Sequence, residues 1–509
     1  MEQQATNKLK KTIRKNVYKW HKYIGLITIV PVIFWCLSGL MHPFLAHWFK
    51  PQIAHEFVLP KPINKAQIKI SIYDVLNQNH IFKIKNLRIV NFAGATYYQI
   101  KNTKNSWLYF NTQTGKQLPN GDVKYAEYLS RYFLADSTSS IKSISQQTTF
   151  SHEYKYINRL LPVWKVSFNR PDSIDVYVET PYSRLGTFNP TSRKVFLWIF
   201  DNFHTWSFLE NISNNTYSIF IMLLLLSIIS VSALSGVIIY GFMWGKFKNP
   251  KAENKKGILK KYHRKIGISV AFVSFTFAFS GGYHAIRKLT PNTLPQMVYE
   301  PSIETKNLVL DVFKLPIDWV RLSNVSIVKI KKEYFYQLFY TQTNDTDAEI
   351  IYLNTSTTKV LKNGNIEYAK FLANKFENKL LSINPTLPDC CEAVCEKPTN
   401  SLPNSLLLKA EELQKFDKRE YGFAFKRLPV VGLAYNTTNK SSYYIETTTS
   451  RLAAKIQNDD RYEGYSFAIF HKFLFMDWAG KNIRDIVTML AALGVLTVSM
   501  FGLVLFLKK

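Results

Sequence analysis

Acidic residues and cysteines are scarce in this chain of 509 residues, which has 36 Asp and Glu against 65 Lys and Arg, and 4 Cys. The formal net charge of +29 could indicate a nucleic-acid partner. The densest basic clusters instead flank long apolar runs, as membrane topology and anionic lipid require. We therefore expect no nucleic acid. The chain also lacks GxGxxG, GxxxxGK[ST] and HExxH segments, so we expect neither a nucleotide-binding domain nor a hydrolytic site.

The few cysteines predict little covalent cross-linking. Cys36 lies inside an apolar run, whereas Cys390, Cys391 and Cys395 cluster in an insertion at 382–415. If that insertion lies in an oxidising compartment, three cysteines predict one disulfide and one remaining thiol. A metal site there is the weaker alternative, because no histidine lies nearby.

Four runs with few or no charged residues are long enough to span a bilayer as helices. They lie at 24–44, 216–244, 266–286 and 486–507. The segment 1–23 has seven basic residues against one acidic residue, and 245–265 has nine against one. The positive-inside rule places both segments and the C-terminus in the cytoplasm. The long segments 45–195 and 287–464 are then expected on the outside, and membrane lipid is an expected partner.

The sequence around the first run returns around the third run, 242 residues later. Matching histidines and glycines begin the two runs, and a second histidine closes each: His21, Gly25 and His42, then His263, Gly267 and His284. The two histidines of a run are 21 residues apart, about 31 Å of helix. This length is close to the roughly 30 Å hydrocarbon thickness. We therefore expect one histidine near each membrane face.

The repetition continues through both outside segments. Alternating apolar residues and Asn-Gly turns predict strands, and helical patterns follow at 125–133 and 368–376. Aromatic stretches containing His204 and His471 predict short interfacial helices at 196–215 and 465–485. The predicted fold class is therefore a membrane α-helical protein with four transmembrane helices in an internal tandem duplication, plus two outside α+β domains. An even number of spans makes the two units parallel.

Six of the ten histidines form three repeat-related pairs at membrane boundaries. They are His21 with His263, His42 with His284, and His204 with His471. This pattern favours bis-histidine haem ligation, in which two imidazoles bind the iron and the macrocycle needs a flat gap between helices. We expect a cytoplasmic-side haem held by His21 and His263. An outside haem would be held by His42 and His284, or by one of these with His204 or His471.

Glycines support this interpretation, because a missing side chain one turn from a ligand leaves room for porphyrin. Gly25 and Gly267 follow a histidine by four residues, and Gly39 and Gly281 precede one by three. Two alternatives remain. A single boundary histidine can be a polar residue at the interface, and glycines can serve close helix packing. Mononuclear zinc or copper is the weaker option, because the two histidine levels lie about 30 Å apart without nearby carboxylates or thiols.

The basic residues leading into His21, the helix end at residues 37–40 and the approaches to His204 and His471 resemble the PepSY-associated transmembrane helix family. Strand and turn pieces such as residues 109–116 resemble PepSY domains. The resemblance covers nearly the whole chain. The family includes bacterial inner-membrane reductases that bind haem and release iron from ferric siderophores on the periplasmic side. Other members are associated with iron uptake, and some are fused to flavin reductase modules.

The resemblance implies two haem b groups, a ferric siderophore as electron acceptor and PepSY-like periplasmic domains. Because the chain ends soon after its last apolar run, we expect no flavin domain there, and quinol or a separate cytoplasmic flavoprotein as the donor. One departure lies in residues 353–359, which lack the glycine that Gly115 supplies in the first copy. The second outside domain is therefore expected to have diverged from any shared binding role.

Three functional hypotheses follow. The first is a di-haem protein that passes electrons across the membrane to a ferric chelate. The second is a non-enzymatic binding or regulatory protein whose histidines are structural. The third is a siderophore permease, which the uninterrupted and uncharged helix interiors disfavour.

Overall fold

The computed structural model describes residues 2–211, 215–242, 255–289, 294, 297–308, 310–343, 348–383, 402, 405–416, 420–422 and 427–507. The chain forms two compact units. The helical unit contains Met1–Pro51, Ser192–Pro291 and Asp459–Lys509, and the β-rich unit contains Gln52–Thr191 and Asn292–Asn458. Cys390, Cys391 and Cys395 lie outside the described residues, as does most of the predicted insertion.

The α-helices of the described residues are α1 Glu2–Pro43, α2 Ile72–Gln78, α3 Gly121–Leu134, α4 Thr191–Phe203, α5 Asn215–Phe242, α6 Lys255–Arg287, α7 Gly364–Ile383, α8 Asn458–Phe470 and α9 Lys481–Leu507. Four of them are long and apolar enough to cross a membrane. These spans are Lys15–Trp48, Thr216–Phe242, Gly257–Arg287 and Lys481–Leu507. The predicted fold class of four membrane helices combined with α+β regions is thereby confirmed.

The helical unit is a bundle of the four spans. Helix α1 packs against α5 and α9, and α6 packs against the same two helices. The shorter helices α4 and α8 cover part of the segments predicted as interfacial helices, and begin before them. Each is followed by a turn that leads into a span, so the histidines just after α4 and α8 lie near the ends of the bundle helices.

The strands of the described residues are β1 Lys83–Phe92, β2 Ala95–Asn102, β3 Trp107–Asn111, β4 Ile141–Gln147, β5 Val163–Phe168, β6 Asp175–Glu179, β7 Arg184–Asn189, β8 Ile303–Glu304, β9 Leu322–Ile330, β10 Glu333–Tyr340, β11 Glu349–Asn354, β12 Leu407–Leu413, β13 Val430–Tyr435, β14 Ser442–Glu446 and β15 Arg451–Ile456. They form four sheets, ordered β3-β2-β1-β8, β4-β5-β6-β7, β11-β10-β9 and β12-β13-β14-β15. Each copy therefore has one sheet before its central helix, α3 or α7, and one sheet after it.

The two copies share one buried apolar cluster and each has a further cluster of its own, although the sequence presents them as separate outside domains. The side chain of Asn324 on β9 pairs with the backbone of Ile89 on β1, accepting from its N–H and donating to its carbonyl, both at 3.0 Å. Leu87 of the first copy and Val325 and Ile327 of the second share a single buried cluster. Alternation along β1 and β9 points these residues to the shared cluster and their neighbours, such as Val90 and Val328, to the separate cluster of each copy.

Candidate functional site

One histidine from each copy meets at one end of the bundle. His21 on α1 and His263 on α6 have ring centres 6.4 Å apart, with ring planes at 64°. Two imidazoles that bind opposite sides of one metal ion, with bonds of about 2 Å, have their centres about 6 Å apart. The observed separation therefore fits a shared ion between two axial imidazoles. This is the pair that the sequence predicted for the cytoplasmic side.

Hydrogen bonds at Nδ1 leave Nε2 of both rings available for a metal. The Nδ1 atom of His263 lies 3.0 Å from the carbonyl oxygen of Val498 on α9. A carbonyl can only accept, so His263 donates from Nδ1 and keeps a lone pair on Nε2 when neutral. His21 Nδ1 lies 2.8 Å from Ser235 Oγ and 3.2 Å from the Ser232 carbonyl oxygen, both on α5. Such outer partners orient metal-binding histidines.

Small residues let these rings approach the neighbouring helices. A Cβ atom added at Gly236 on α5 would lie 3.4 Å from Cε1 of His21, and one at Gly502 on α9 would lie 3.4 Å from Cε1 of His263. The two glycines contact equivalent histidines and therefore occupy corresponding positions in the two copies, 266 residues apart. By contrast, a Cβ added at Gly25 or Gly39 would meet no atom within 4 Å. Gly236 and Gly502 therefore keep side-chain bulk away from the bundle histidines, whereas Gly25 and Gly39, which the sequence singled out, have open space at the Cβ position.

A second pair of histidines has nearly the same separation. His204 follows α4 and His471 follows α8, and their ring centres are 6.4 Å apart with the planes at 84°. Each ring stacks on an aromatic residue of its own helix, His204 on Phe200 at 4.4 Å and His471 on Phe467 at 4.6 Å. The sequence predicted an outside site for both residues, but did not predict that they would pair with each other.

Serines on the spans orient this second pair. Ser38 on α1 donates to the Phe34 carbonyl at 2.6 Å, so its oxygen is free to accept from His204 Nδ1, 3.1 Å away. Ser280 on α6 likewise donates to its own helix at 2.6 Å and lies 3.3 Å from His471 Nδ1. Nε2 is again the atom left for a ligand.

A tryptophan holds the turn that carries His204. Trp35 on α1 donates from Nε1 to the His204 carbonyl at 2.8 Å and stacks on Trp206 at 5.3 Å. Phe277 and Phe473 occupy the matching positions of the second copy, with ring centres 5.7 Å apart. The position of His204 and His471 therefore depends on aromatic packing against the spans as well as on their own helices.

Burial favours the neutral form of the second pair. It lowers the pKa of His204 to about 3, and neighbouring His471 and His42 contribute in the same direction. Burial likewise lowers the pKa of His471 to about 4, with a further contribution from Lys472. Neutral imidazole is the form that binds a metal ion. Both rings are therefore in the ligating form at neutral pH.

His42 and His284 occupy different surroundings at the same end of their helices. The His42 ring lies 5.7 Å from that of Phe200, and the His284 ring lies 4.9 Å from that of Phe467. Nδ1 of His284 is 2.7 Å from a carboxylate oxygen of Glu463 on α8. The ligand roles predicted for His42 and His284 stay predictions, with the carboxylate as an orienting partner of His284.

The two ring pairs suit haem better than a bare ion. Among the described residues, no three or more histidine, cysteine or acidic side chains are grouped as a metal ion would need. Haem supplies four of its own nitrogen ligands and needs only two axial imidazoles from the protein. Sequence reasoning found the histidines but missed Ser235, Gly236 and Gly502. The sequence signal that could have identified the two glycines is the recurrence of glycine at corresponding positions of the second and fourth spans.

The family model described as the PepSY-associated TM region matches residues 18–509, nearly the whole chain. No curated protein matches the sequence.

Proposed function

The chain belongs to the PepSY-associated transmembrane family, and from this premise we propose that it is a di-haem electron-transfer protein of a bacterial inner membrane. It would pass electrons from quinol or a cytoplasmic flavoprotein to a ferric siderophore in the periplasm, with the β-rich unit on that side. Bound to the two histidine pairs, haem b would supply reversible one-electron chemistry. His21 and His263 would hold one group, and His204 and His471 the other.

The observation that carries this proposal is the recurrence of one geometry at two places. Both ring pairs have centres 6.4 Å apart. All four histidines have a partner at Nδ1, which leaves Nε2 for a ligand. A purely structural role explains a buried histidine with a hydrogen bond, but it does not require two pairs with the same separation, each with one ring from either copy.

The region around the second pair also has a surface suited to an acceptor. Trp198, Phe475 and Trp478 expose more than half of their side-chain area, and Trp478 is 84% exposed. Aromatic faces bind flat or apolar parts of a chelate and bury large areas at little entropic cost. No general acid or base is needed for outer-sphere reduction of ferric iron, so the protein's task is to orient the ligands and exclude water.

Haem content of the purified full-length protein tests the proposal. Protein from haem-replete cells should show a dithionite-sensitive Soret band and two haems per chain by pyridine haemochrome. His263→Ala and His471→Ala should each reduce this number to about one. His152→Ala, an exposed histidine of the β-rich unit, should leave it at two. The reduced protein should be reoxidised when a ferric siderophore is added.

Other outcomes separate the parts of the proposal. A colourless, iron-free wild-type protein would reject the haem sites and favour the binding or regulatory alternative. Two haems in His471→Ala, together with loss of one in His284→Ala, would keep the function and reassign the second site to His42 and His284.

A further inference from the structure

A small cavity lies between the two copies in the β-rich unit. Its volume is about 40 Å³, and its lining includes Phe150, Tyr156 and Arg159 of the first copy and Arg427, Arg451 and Leu452 of the second. Arg427 is buried, whereas Arg159 and Arg451 are partly exposed. Three arginines therefore line a space large enough for a group of a few non-hydrogen atoms.

Two of these arginines are held firmly in place. Arg427 lies 2.6 Å from the buried carboxylate of Glu446 and donates to the Arg159 carbonyl at 2.8 Å. The Arg159 guanidinium lies 4.4 Å from the Tyr156 ring centre and donates to the Tyr156 hydroxyl at 2.7 Å. Preorganised planar guanidinium groups lose little entropy when they bind an anion.

Arg451 breaks the symmetry of the two copies. Arg184 and Arg451 are 267 residues apart at matching strand starts, as are Glu179 and Glu446 at matching strand ends. Arg184 lies 2.5 Å from Glu446 of the other copy. The equivalent partner of Arg451 would be Glu179, but within the part of the chain that the structure describes no carboxylate lies within 4 Å of Arg451. Arg451 is one of the residues that line the cavity.

The surrounding cluster carries more positive than negative charge. Electrostatic interactions connect six cationic side chains: Arg88, Lys101, Arg159, Arg184, Arg427 and Arg451. Glu179, Glu300 and Glu446 are carboxylates that interact with members of this cluster. Two nitrogen atoms of Arg88, Nε and Nη1, are buried without a hydrogen-bond partner. Burial of unbalanced charge is costly, so an anion would stabilise this cluster.

We propose that this cavity is a binding site for a small oxyanion, a carboxylate, phosphate or sulfate group, which Arg451 and Arg159 contact with Arg427 behind them. Charge-assisted, bidentate contacts from guanidinium groups suit such an anion. The aromatic rings of Phe150 and Tyr156 give the cavity an apolar side, so an organic anion fits as well as an inorganic one. The site is independent of haem and of the electron-transfer function proposed above.

Calorimetric titration of the detergent-purified full-length protein in low-chloride buffer tests the site. Sodium phosphate, sulfate and acetate are titrated separately, so that the results distinguish an inorganic oxyanion from a carboxylate. At least one of them should bind, and Arg451→Gln should weaken binding at least tenfold. Arg321→Gln is the matched control: Arg321 is in the same unit, 3.2 Å from Glu349, and its loss should leave binding unchanged.

A second variant controls for loss of folding in Arg451→Gln. If Arg451→Gln lowers the unfolding temperature, Arg159→Gln should still weaken binding at least fivefold in a folded protein. The proposal is overturned if the wild type binds none of the three anions. It is equally overturned if folded variants of Arg451 and Arg159 bind as tightly as the wild type, or if Arg321→Gln weakens binding as much.

Discussion

The two copies agree closely in the helical unit and differ in the β-rich unit. In the bundle, a Cβ atom added at Gly236 or at Gly502 would lie the same 3.4 Å from Cε1 of the nearby histidine. In the β-rich unit, Asp122 and Trp164 of the first copy correspond to Asn365 and Val431 of the second. A site made of one residue from each copy needs both copies to keep the same geometry. A hydrogen-bond network inside one copy can change as long as its members change together.

The largest expected effect tests the agreement between the copies at the two glycines. Gly236→Val and Gly502→Val should each weaken haem binding at the His21–His263 site, because the branched side chain would overlap the imidazole. Overpacking of this kind costs about 1–3 kcal/mol, or roughly 5- to 150-fold in affinity. Haem retention during dilution, followed at the Soret band, measures the effect.

Alanine at the same positions is the control. A lone Cβ at 3.4 Å is close to ordinary contact, so Gly236→Ala and Gly502→Ala should retain haem nearly as well as the wild type. Strong loss in only one of the two valine variants would show that the copies do not contribute equally, and would contradict the proposed shared site.

Sequence periodicity predicted the bundle, because the repeated histidines and apolar runs fix both the spans and the level of His21 and His263. It did not predict that His204 lies beside His471. Their approach depends on turns after α4 and α8 and on the packing of Trp35 and Trp206, which no local pattern specifies. The joint core of β1 and β9 was also missed. Pairing between residues far apart in sequence depends on which apolar faces meet, and the sequence offers several.

An effect of similar size, on the stability of the fold rather than on haem binding, is expected where the copies differ, at Asp122. Its carboxylate accepts from the Tyr109 hydroxyl and from Trp164 Nε1, both at 2.7 Å. In the second copy, Asn365 accepts from Tyr352, and Val431 has no donor to satisfy. Asp122→Asn would leave Trp164 facing an amide donor, at a cost of about 1–3 kcal/mol. We expect a lower thermal unfolding temperature for this variant at neutral pH.

The control is a double variant that changes both Asp122 and Trp164, the two positions at which the copies differ. In Trp164→Phe the donor is absent, so adding Asp122→Asn should cost much less than it does in the wild type, a non-additive result typical of contacting residues. Equal costs in the two backgrounds would show that Trp164 does not depend on Asp122.

The stability that Asp122 contributes should depend on pH with a definite sign. Burial raises the pKa of Asp122 above its ordinary value, despite opposing hydrogen bonds from Thr180, Tyr109 and Trp164. The folded protein therefore holds this proton more tightly than the unfolded chain, whose Asp pKa is about 3.9. The stability that the neutral acid contributes is present below that pH and is lost as pH rises through the folded pKa. The stability advantage of wild type over Asp122→Asn should accordingly shrink between acid and neutral pH, in unfolding scans at several pH values. An advantage that grows with pH would contradict the raised pKa.

The smallest expected effect concerns Ser235, which only the first copy has. Ser235 donates its hydroxyl proton to the Ser232 carbonyl at 2.8 Å, so its oxygen can only accept from His21 Nδ1. Phe501 occupies the matching position of the second copy, and His263 relies on one carbonyl. Ser235→Ala should therefore weaken haem binding less than tenfold, because one hydrogen bond contributes about 0.5–1.5 kcal/mol and the Ser232 carbonyl remains.

Ser38→Ala is the matched comparison, because Ser38 is the partner of His204 Nδ1 among the described residues and leaves no second acceptor behind. Loss of such an outer partner costs about 10- to 100-fold in metal affinity. Haem retention at the His204–His471 site of Ser38→Ala should therefore be lower than haem retention at the His21–His263 site of Ser235→Ala. The reverse order would mean that the Ser235 hydroxyl, rather than the Ser232 carbonyl, orients His21. The two copies would then hold their histidines by different means, because His263 relies on a carbonyl.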